Sequence, residues 1–181
     1  MLQGKHVVLR PTRKGDIELL LKWYNDPEII QNIIHRHLPF CQEAAEEWIR
    51  QLGLSKKEML LVIEVKKNDA SIPIGIAGIS HINWKDRNAS GSIIIGEKEY
   101  WGKGIGAELA ELFLDYCFNE LNLHRISTSV ISTNERSLKL HQKLGFVVEG
   151  RIKEAVYKMG RYQDIILLGL LKRDWITEKR E

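Results

Sequence analysis

Ile93-Ile94-Ile95-Gly96-Glu97-Lys98-Glu99-Tyr100-Trp101-Gly102-Lys103-Gly104-Ile105-Gly106-Ala107 reads as a strand that runs into a glycine-rich turn and opens a helix. A helix start presents backbone N–H groups without partners and the positive end of the helix dipole, which suits an anion. Glycines let the backbone approach that anion closely. Three binding readings compete here with a plain strand-to-helix turn. A Walker A loop needs Lys followed by Ser or Thr, whereas Gly102-Lys103 is followed by Gly104. A dinucleotide fingerprint is met in form by Gly102, Gly104 and Ala107, but no acidic residue closes the next strand, which ends Val130-Ile131-Ser132-Thr133-Asn134. The third reading is the pyrophosphate loop of a coenzyme A enzyme.

Upstream of this stretch the pattern is short strands and two helices. His6 to Leu9 is a β-branched run ending at Pro11. Asp16 to Tyr24 is expected to be helical, with Ile17, Leu20, Leu21 and Tyr24 inward, and Gln42 to Leu52 likewise, with Ala44 or Ala45, Trp48, Ile49 and Leu52 inward. Strands are expected at Met59 to Val65, Ile74 to Ile82 and Gly91 to Ile95, separated by the turns Asn68-Asp69 and Asp86-Arg87-Asn88. Short turns between successive strands favour antiparallel pairing.

Downstream the period changes. Ile105, Leu109, Leu112, Phe113, Tyr116 and Cys117 recur at helical spacing, so Gly104 to Phe118 is expected to be an amphipathic helix. Ile126 to Ile131 is a strand. Asn134 is a good N-cap and Gly145 a good residue just past a helix end, with a short helix between them. Val147 to Val156 and Ile165 to Leu171 close the chain. A meander followed by β-α-β-α-β-β implies a mixed α/β sheet of about seven strands with helices on its faces.

The chain has 181 residues, which sets a single domain over 1–181 as the expectation. It is 44% hydrophobic and 28% charged, an ordinary globular mix. A net charge of +3 is small for a nucleic-acid binder. The longest apolar run, Ile165 to Leu171, is too short to span a bilayer, and Lys5, His6 and Arg10 interrupt the N-terminus, so no signal peptide is read. Two cysteines, Cys41 and Cys117, without a C-x-x-C pair fit a reducing, cytoplasmic setting. His35 and His37 alone do not make a metal site, and no metal is expected. Oligomeric state is left at monomer or homodimer.

Tyr100 to Gly106 resembles the acetyl-CoA signature of the GNAT superfamily, [RQ]-x-x-G-x-[GA], with Trp101 where Arg or Gln is commonest. Asn134-Glu-Arg-Ser137-Leu-Lys-Leu-His141-Gln-Lys-Leu-Gly145-Phe146 resembles the N-x-x-[AS]-x-x-[LV]-Y-x-K-x-G-F segment of the same superfamily. Glu149-Gly150-Arg151, Gly160 to Asp164 and the Leu-rich tail to Trp175 look like its ribosomal-protein N-terminal and spermidine/spermine acetyltransferase branch, as does Val8-Leu9-Arg10-Pro11 followed by Asp16. The resemblance implies the GNAT fold, in which the fourth and fifth strands splay apart and acetyl-CoA enters the gap. It places the pantetheine arm against Ile93, Ile94 and Ile95, and the pyrophosphate on the N–H groups of Trp101, Gly102, Lys103, Gly104, Ile105 and Gly106. Asn134 matches the asparagine that contacts the pantetheine arm.

The implied reaction moves an acetyl group from a thioester to a primary amine. The amine must be neutral to attack, the oxyanion needs a donor, and the departing thiolate benefits from a proton. His141 stands where the superfamily often carries a tyrosine acid, and Ser137 lies one turn earlier on the same face, so either is expected to protonate the sulfur. Glu97 is the nearest carboxylate for a base. Arg136, Lys139 and Lys143 form a stripe that could meet the 3′-phosphate, although a solvated charged face is the favoured reading. Polyamine, protein α-amine, amino sugar and antibiotic amine all remain open as acceptors, with Ser90 and Ser92 standing where polyamine enzymes tend to carry an acid. The acceptor side is expected between Glu28 and Phe40. A non-catalytic acyl-CoA-binding module on the same fold is the alternative.

Overall fold

The computed structural model describes residues 1–35, 37–67 and 70–178. In chain order it runs β1 (Leu2–Gln3), β2 (Val7–Pro11), α1 (Ile17–Tyr24), α2 (Pro27–Ile30), α3 (Gln42–Leu52), β3 (Met59–Lys67), β4 (Ala70–Asn83), β5 (Asn88–Ile95), α4 (Ile105–Asp115), β6 (Arg125–Ile131), α5 (Glu135–Lys143), β7 (Val147–Lys158), β8 (Arg161–Leu171) and α6 (Lys172–Glu178). The strands form one sheet in the order β1-β2-β3-β4-β5-β6-β8-β7. Every neighbouring pair is antiparallel except β5–β6. Among the described residues the sheet therefore has eight strands, where about seven were expected. The extra one, Leu2–Gln3 against Val8 and Leu9, is too short to show an alternating pattern. The Asn68-Asp69 turn lies outside the described residues.

The pleat sends alternate residues of β5 to opposite layers. Ile94 joins Ile76 and Leu60 under α1 and α3, while Ile93 and Ile95 join Ala77 and Ile79 under α4. Helix α1 buries Trp23 rather than Leu21 in full. The reason is a contact 73 residues away in sequence: the Trp23 ring lies against Gly96, where any Cβ would fall inside the indole. Trp23 Nε1 also donates to Glu97 Oε1 at 2.9 Å. In α3, Ala45 and not Ala44 is the buried alanine. The α4 helix stops at Asp115 and is followed by one wider π turn, Tyr116–Glu120, that brings Cys117 and Phe118 inside together.

Arg10 is a buried cation on β2. It makes a two-pronged pair with Asp16 at 2.8 and 2.7 Å and donates from Nε to Glu64 Oε1 at 2.6 Å. Burial alone would raise the Asp16 carboxyl. The bonds from Arg10 and from the Arg13 N–H outweigh it and hold the group below its ordinary value. This cluster ties the start of α1 to β2 and β3.

Two outcomes are expected. Gly96→Ala should cost about 1–3 kcal/mol in denaturant unfolding, because the methyl must displace a fully packed indole. Asp16, whose folded pKa is depressed, stabilises the fold above its unfolded value of about 3.9, and that contribution is lost as the pH falls through the folded value. Asp16→Asn should lower stability at pH 7 and flatten the loss of stability that the parent shows below about pH 4, both read from pH-dependent melting.

Candidate active site

Strands β5 and β6 pair at only three positions, Asn88 with Arg125, Ala89 with Ile126 and Ser90 with Ser127. Beyond them β5 continues to Ile95 along β4, and β6 continues to Ile131 along β8. The sheet therefore parts into a V whose root is closed by Ser127 Oγ donating to Ala89 O at 3.2 Å, with Ser90 Oγ 3.3 Å away. Ser90 thus faces the seam. Above the root, the β6-facing edge of β5 has no strand against it, and Ile93, Ile94 and Ile95 are only half-buried although they sit mid-sheet. Gly91, Ser92 and Ile93 from β5, Ala110, Phe113 and Leu114 from α4, Ile126 and Thr128 from β6, and His141, Leu144 and Phe146 line a narrow apolar cleft in this gap. A free strand edge bordered by apolar walls suits a slender ligand that carries its own amide groups.

The loop at the mouth is shaped by two glycines in the left-handed region, Gly102 (φ 76°) and Gly104 (φ 80°). A Cβ at either would meet nothing, so backbone conformation and not crowding calls for glycine there. Among the described residues, no acceptor takes the N–H groups of Gly102, Lys103, Gly104, Ile105 or Gly106. Trp101 anchors the loop, its indole N–H donating to Ile95 O at 2.9 Å. Lys103 Nζ lies 5.7 Å from the Tyr100 ring, and the Arg136 guanidinium lies 4.4 Å from the Trp101 ring.

Helix α5 presents the other side. Asn134 caps it, Oδ1 accepting from the Ser137 N–H at 3.2 Å. Gly145 (φ 85°) ends it, with the Phe146 N–H returning to His141 O at 3.0 Å. His141 Nδ1 lies 2.8 Å from Ser137 O and 3.3 Å from Ser137 Oγ. A carbonyl only accepts, so Nδ1 carries the proton and Nε2 is the acceptor of the neutral ring. Phe146 packs edge-on to the imidazole at 5.0 Å. Burial pushes His141 below its ordinary pKa, partly offset by the Ser137 carbonyl.

The remaining expected residues fall elsewhere. Glu97 does not line the cleft: its carboxylate receives Lys22 Nζ at 2.5 Å and Trp23 Nε1. Burial would raise it, but these two donors hold it below the ordinary range, which makes it a weak base. Glu97 therefore anchors α1 to the end of β5. The Arg136, Lys139, Lys143 stripe is not one unit. Lys139 pairs with Glu135 at 3.5 Å, Arg136 reaches across to Trp101, and Lys143 is exposed near the end of α5. Asp26 and Glu28 both hold Lys98, the former at 2.9 Å. Ile34 crosses to Ile131, Val156 and Ile165, and Lys158 Nζ donates to Ile30 O at 3.1 Å, so the stretch after α2 spans toward the C-terminal strands. Sequence reasoning missed Phe146 and Thr128 as walls, and the Trp101–Arg136 stack. A tryptophan where the signature favours a polar residue was the available signal. Among the described residues, no three His, Cys, Asp or Glu side chains converge, and no helix is long and apolar enough to cross a membrane.

The geometry matches that of known proteins over most of the chain. Residues 6–147 fit the model for the acetyltransferase (GNAT) domain. The spermidine N(1)-acetyltransferase of Vibrio cholerae is 29% identical over 174 residues, covering 96% of this chain and 98% of that protein. A crystal structure of spermidine N-acetyltransferase from Vibrio cholerae in complex with CoA and spermine superposes with a TM-score of 0.87 at 29% identity, covering 96% and 99% of the two chains. The YdaF protein of Bacillus subtilis, described as a putative ribosomal N-acetyltransferase, is 35% identical over 82 residues, 45% of each chain. With its parted β5 and β6 and its glycine loop, this chain belongs to the GNAT family and is an acetyl-CoA-dependent N-acetyltransferase that acetylates a primary amine.

Proposed function

We propose that the acceptor is a polyamine, that the pantetheine arm of acetyl-CoA lies along Ile93 to Ile95, and that His141 carries the proton. The observation that supports the acceptor is the end-to-end likeness, in both sequence and fold, to a spermidine acetyltransferase. Ser90 and Ser92 supply no acid on β5; beyond its end, Asp26 and Glu28 both hold the Lys98 ammonium. Two carboxylates that grip one alkylammonium are chemically suited to another.

The co-substrate supplies an activated acetyl thioester. The open N–H groups from Gly102 to Gly106 fit its pyrophosphate, with Lys103 and Lys143 as further contacts; Trp101, expected as another donor, instead gives its backbone N–H to Lys98 O at 3.0 Å and its indole N–H to Ile95 O and shapes the loop, and Asn134 and Ser137 stand beside the arm. His141, neutral at pH 7 with Nε2 as its acceptor, takes the proton that the amine sheds as the new C–N bond forms. The imidazolium then returns that proton to the sulfur as the C–S bond breaks, so atoms and charge balance. Ser137 serves His141 by fixing its tautomer through the carbonyl at 2.8 Å, with its hydroxyl as the second possible proton donor. A backbone N–H on the free edge of β5 is suited to the oxyanion. In this reading residues 1–181 form one domain, consistent with the single continuous sheet. Free Cys41 and Cys117 support a cytoplasmic setting, and the protein works as a monomer or homodimer.

Thiol release from acetyl-CoA should be screened against spermidine, spermine, peptides with free N-termini, amino sugars and aminoglycosides. Turnover is expected with the polyamines; turnover with N-terminal peptides alone would replace the polyamine reading, and binding of acetyl-CoA without turnover on any amine would favour a binding module. His141→Phe should lower kcat about 100-fold with little change in coenzyme affinity. In the parent, kcat should fall on the acid side as His141 protonates, with a midpoint below the ordinary histidine value, and His141→Phe should lack this limb. A kcat that instead falls as pH rises through that midpoint would make the imidazolium the form that starts the reaction.

A further inference from the structure

The Arg136 side chain is exposed and has no carboxylate partner among the described residues, although Glu135 is its neighbour in sequence; Glu135 pairs with Lys139 instead. An arginine on the first turn of a helix would ordinarily extend into water. This one is drawn over the Trp101 indole, Cζ 4.4 Å from the ring centroid. Trp101 is itself fixed, because its N–H is committed to Ile95 O at 2.9 Å and its ring packs beside the α1–α3 core. The stack therefore joins the loop that follows β5 to the helix that follows β6, across the mouth of the V.

A guanidinium held over an aromatic ring by cation–π attraction keeps its N–H donors for other acceptors, and among the described residues none of those of Arg136 has one. The adjoining loop carries five backbone N–H groups without acceptors, Gly102 to Gly106, and Lys103 has no carboxylate partner among the described residues. Donors and positive charge concentrate here with no acid paired to them among the described residues, an arrangement matched to a pyrophosphate, which carries one negative charge on each phosphate.

We infer that Arg136, held ready by the Trp101 face, is a pyrophosphate-binding residue for acetyl-CoA, and that Trp101 is the positioning residue that presents it. The inference rests on the coenzyme lying on the glycine loop. Because the guanidinium is already ordered by the indole, less side-chain freedom is lost when the phosphates arrive. Arg136 also shuts the mouth over the arm, so that one contact both holds the coenzyme and bridges the two sides of the gap.

Titration calorimetry with CoA, 3′-dephospho-CoA and acetyl-pantetheine tests this without turnover. Arg136→Ala is expected to weaken CoA and 3′-dephospho-CoA alike, by about tenfold or more, with a shallower salt dependence, and to leave acetyl-pantetheine unchanged. Arg136→Lys, which keeps the charge and loses the planar guanidinium, is expected to recover only part. Trp101→Leu should weaken CoA in the parent but add little in the Arg136→Ala background, since it acts through Arg136; its melting temperature controls for folding. Unchanged CoA affinity in Arg136→Ala would overturn the inference. So would a loss confined to CoA, which would assign Arg136 to the 3′-phosphate, or an equal loss for acetyl-pantetheine, which would reduce the stack to packing. Failure of the unaltered protein to bind CoA would instead remove the loop as the coenzyme site.

Discussion

The parting of β5 from β6 after three pairs is the constraint on which the rest of the structure depends. A sheet normally spends its edge groups on the next strand, and leaving a central edge free in mid-sheet carries a cost that some ligand or solvent must offset. The protein limits that cost in two ways. Ser127 hydrogen-bonds across the root, and Gly91, the first residue past it, has no side chain, so that Ile126 and Phe113 close up against the backbone. The slot is therefore narrow, apolar along its walls and polar along one edge.

Around the slot the chemistry divides by side. The loop after β5 leaves five backbone N–H groups without acceptors among the described residues, while α5 brings Arg136 to the mouth of the cleft and His141 to its wall. Charges that do not serve the slot are neutralised close to where they arise: Arg10 by Asp16 and Glu64, Glu97 by Lys22, and Lys98 by Asp26 and Glu28. That housekeeping explains why Glu97, next to the slot in sequence, is unsuited to base chemistry.

Local pattern carried the strand–turn–helix at Ile93 to Ala107, the Asn134 cap and the Gly145 stop, because each depends on neighbours a few residues apart. It did not carry what depends on distant contacts. Leu21 and Trp23 both fit the helical period of α1, and only Gly96 decides between them. Glu97 looks like a free turn acid until Lys22 is folded against it, 75 residues away in sequence. The two-residue β1 is too short for any periodicity. The splay itself came from the resemblance, since the register of two parallel strands joined through a helix leaves no local trace. In the site, His141 was legible as a position, but its tautomer required the Ser137 carbonyl.

The three-pair seam also bears on how the chain assembles. Strands β3, β4 and β5 pair with their sequence neighbours, and β7 with β8, so each of two antiparallel ribbons has a nucleus of local contacts, to which β2 and β6 add by longer-range pairing. Between them the backbone offers little, and the cohesion comes from α4, whose Phe113 and Leu114 belong to the same apolar cluster as Ile79 on one ribbon and Ile126 and Leu168 on the other. Docking of α4 is then the event that makes one cooperative unit out of two. Partial opening at the seam would expose the amides of β5 and β6 to solvent exchange while both ribbons persist, giving the protein a sub-global unfolding step located at its own ligand slot.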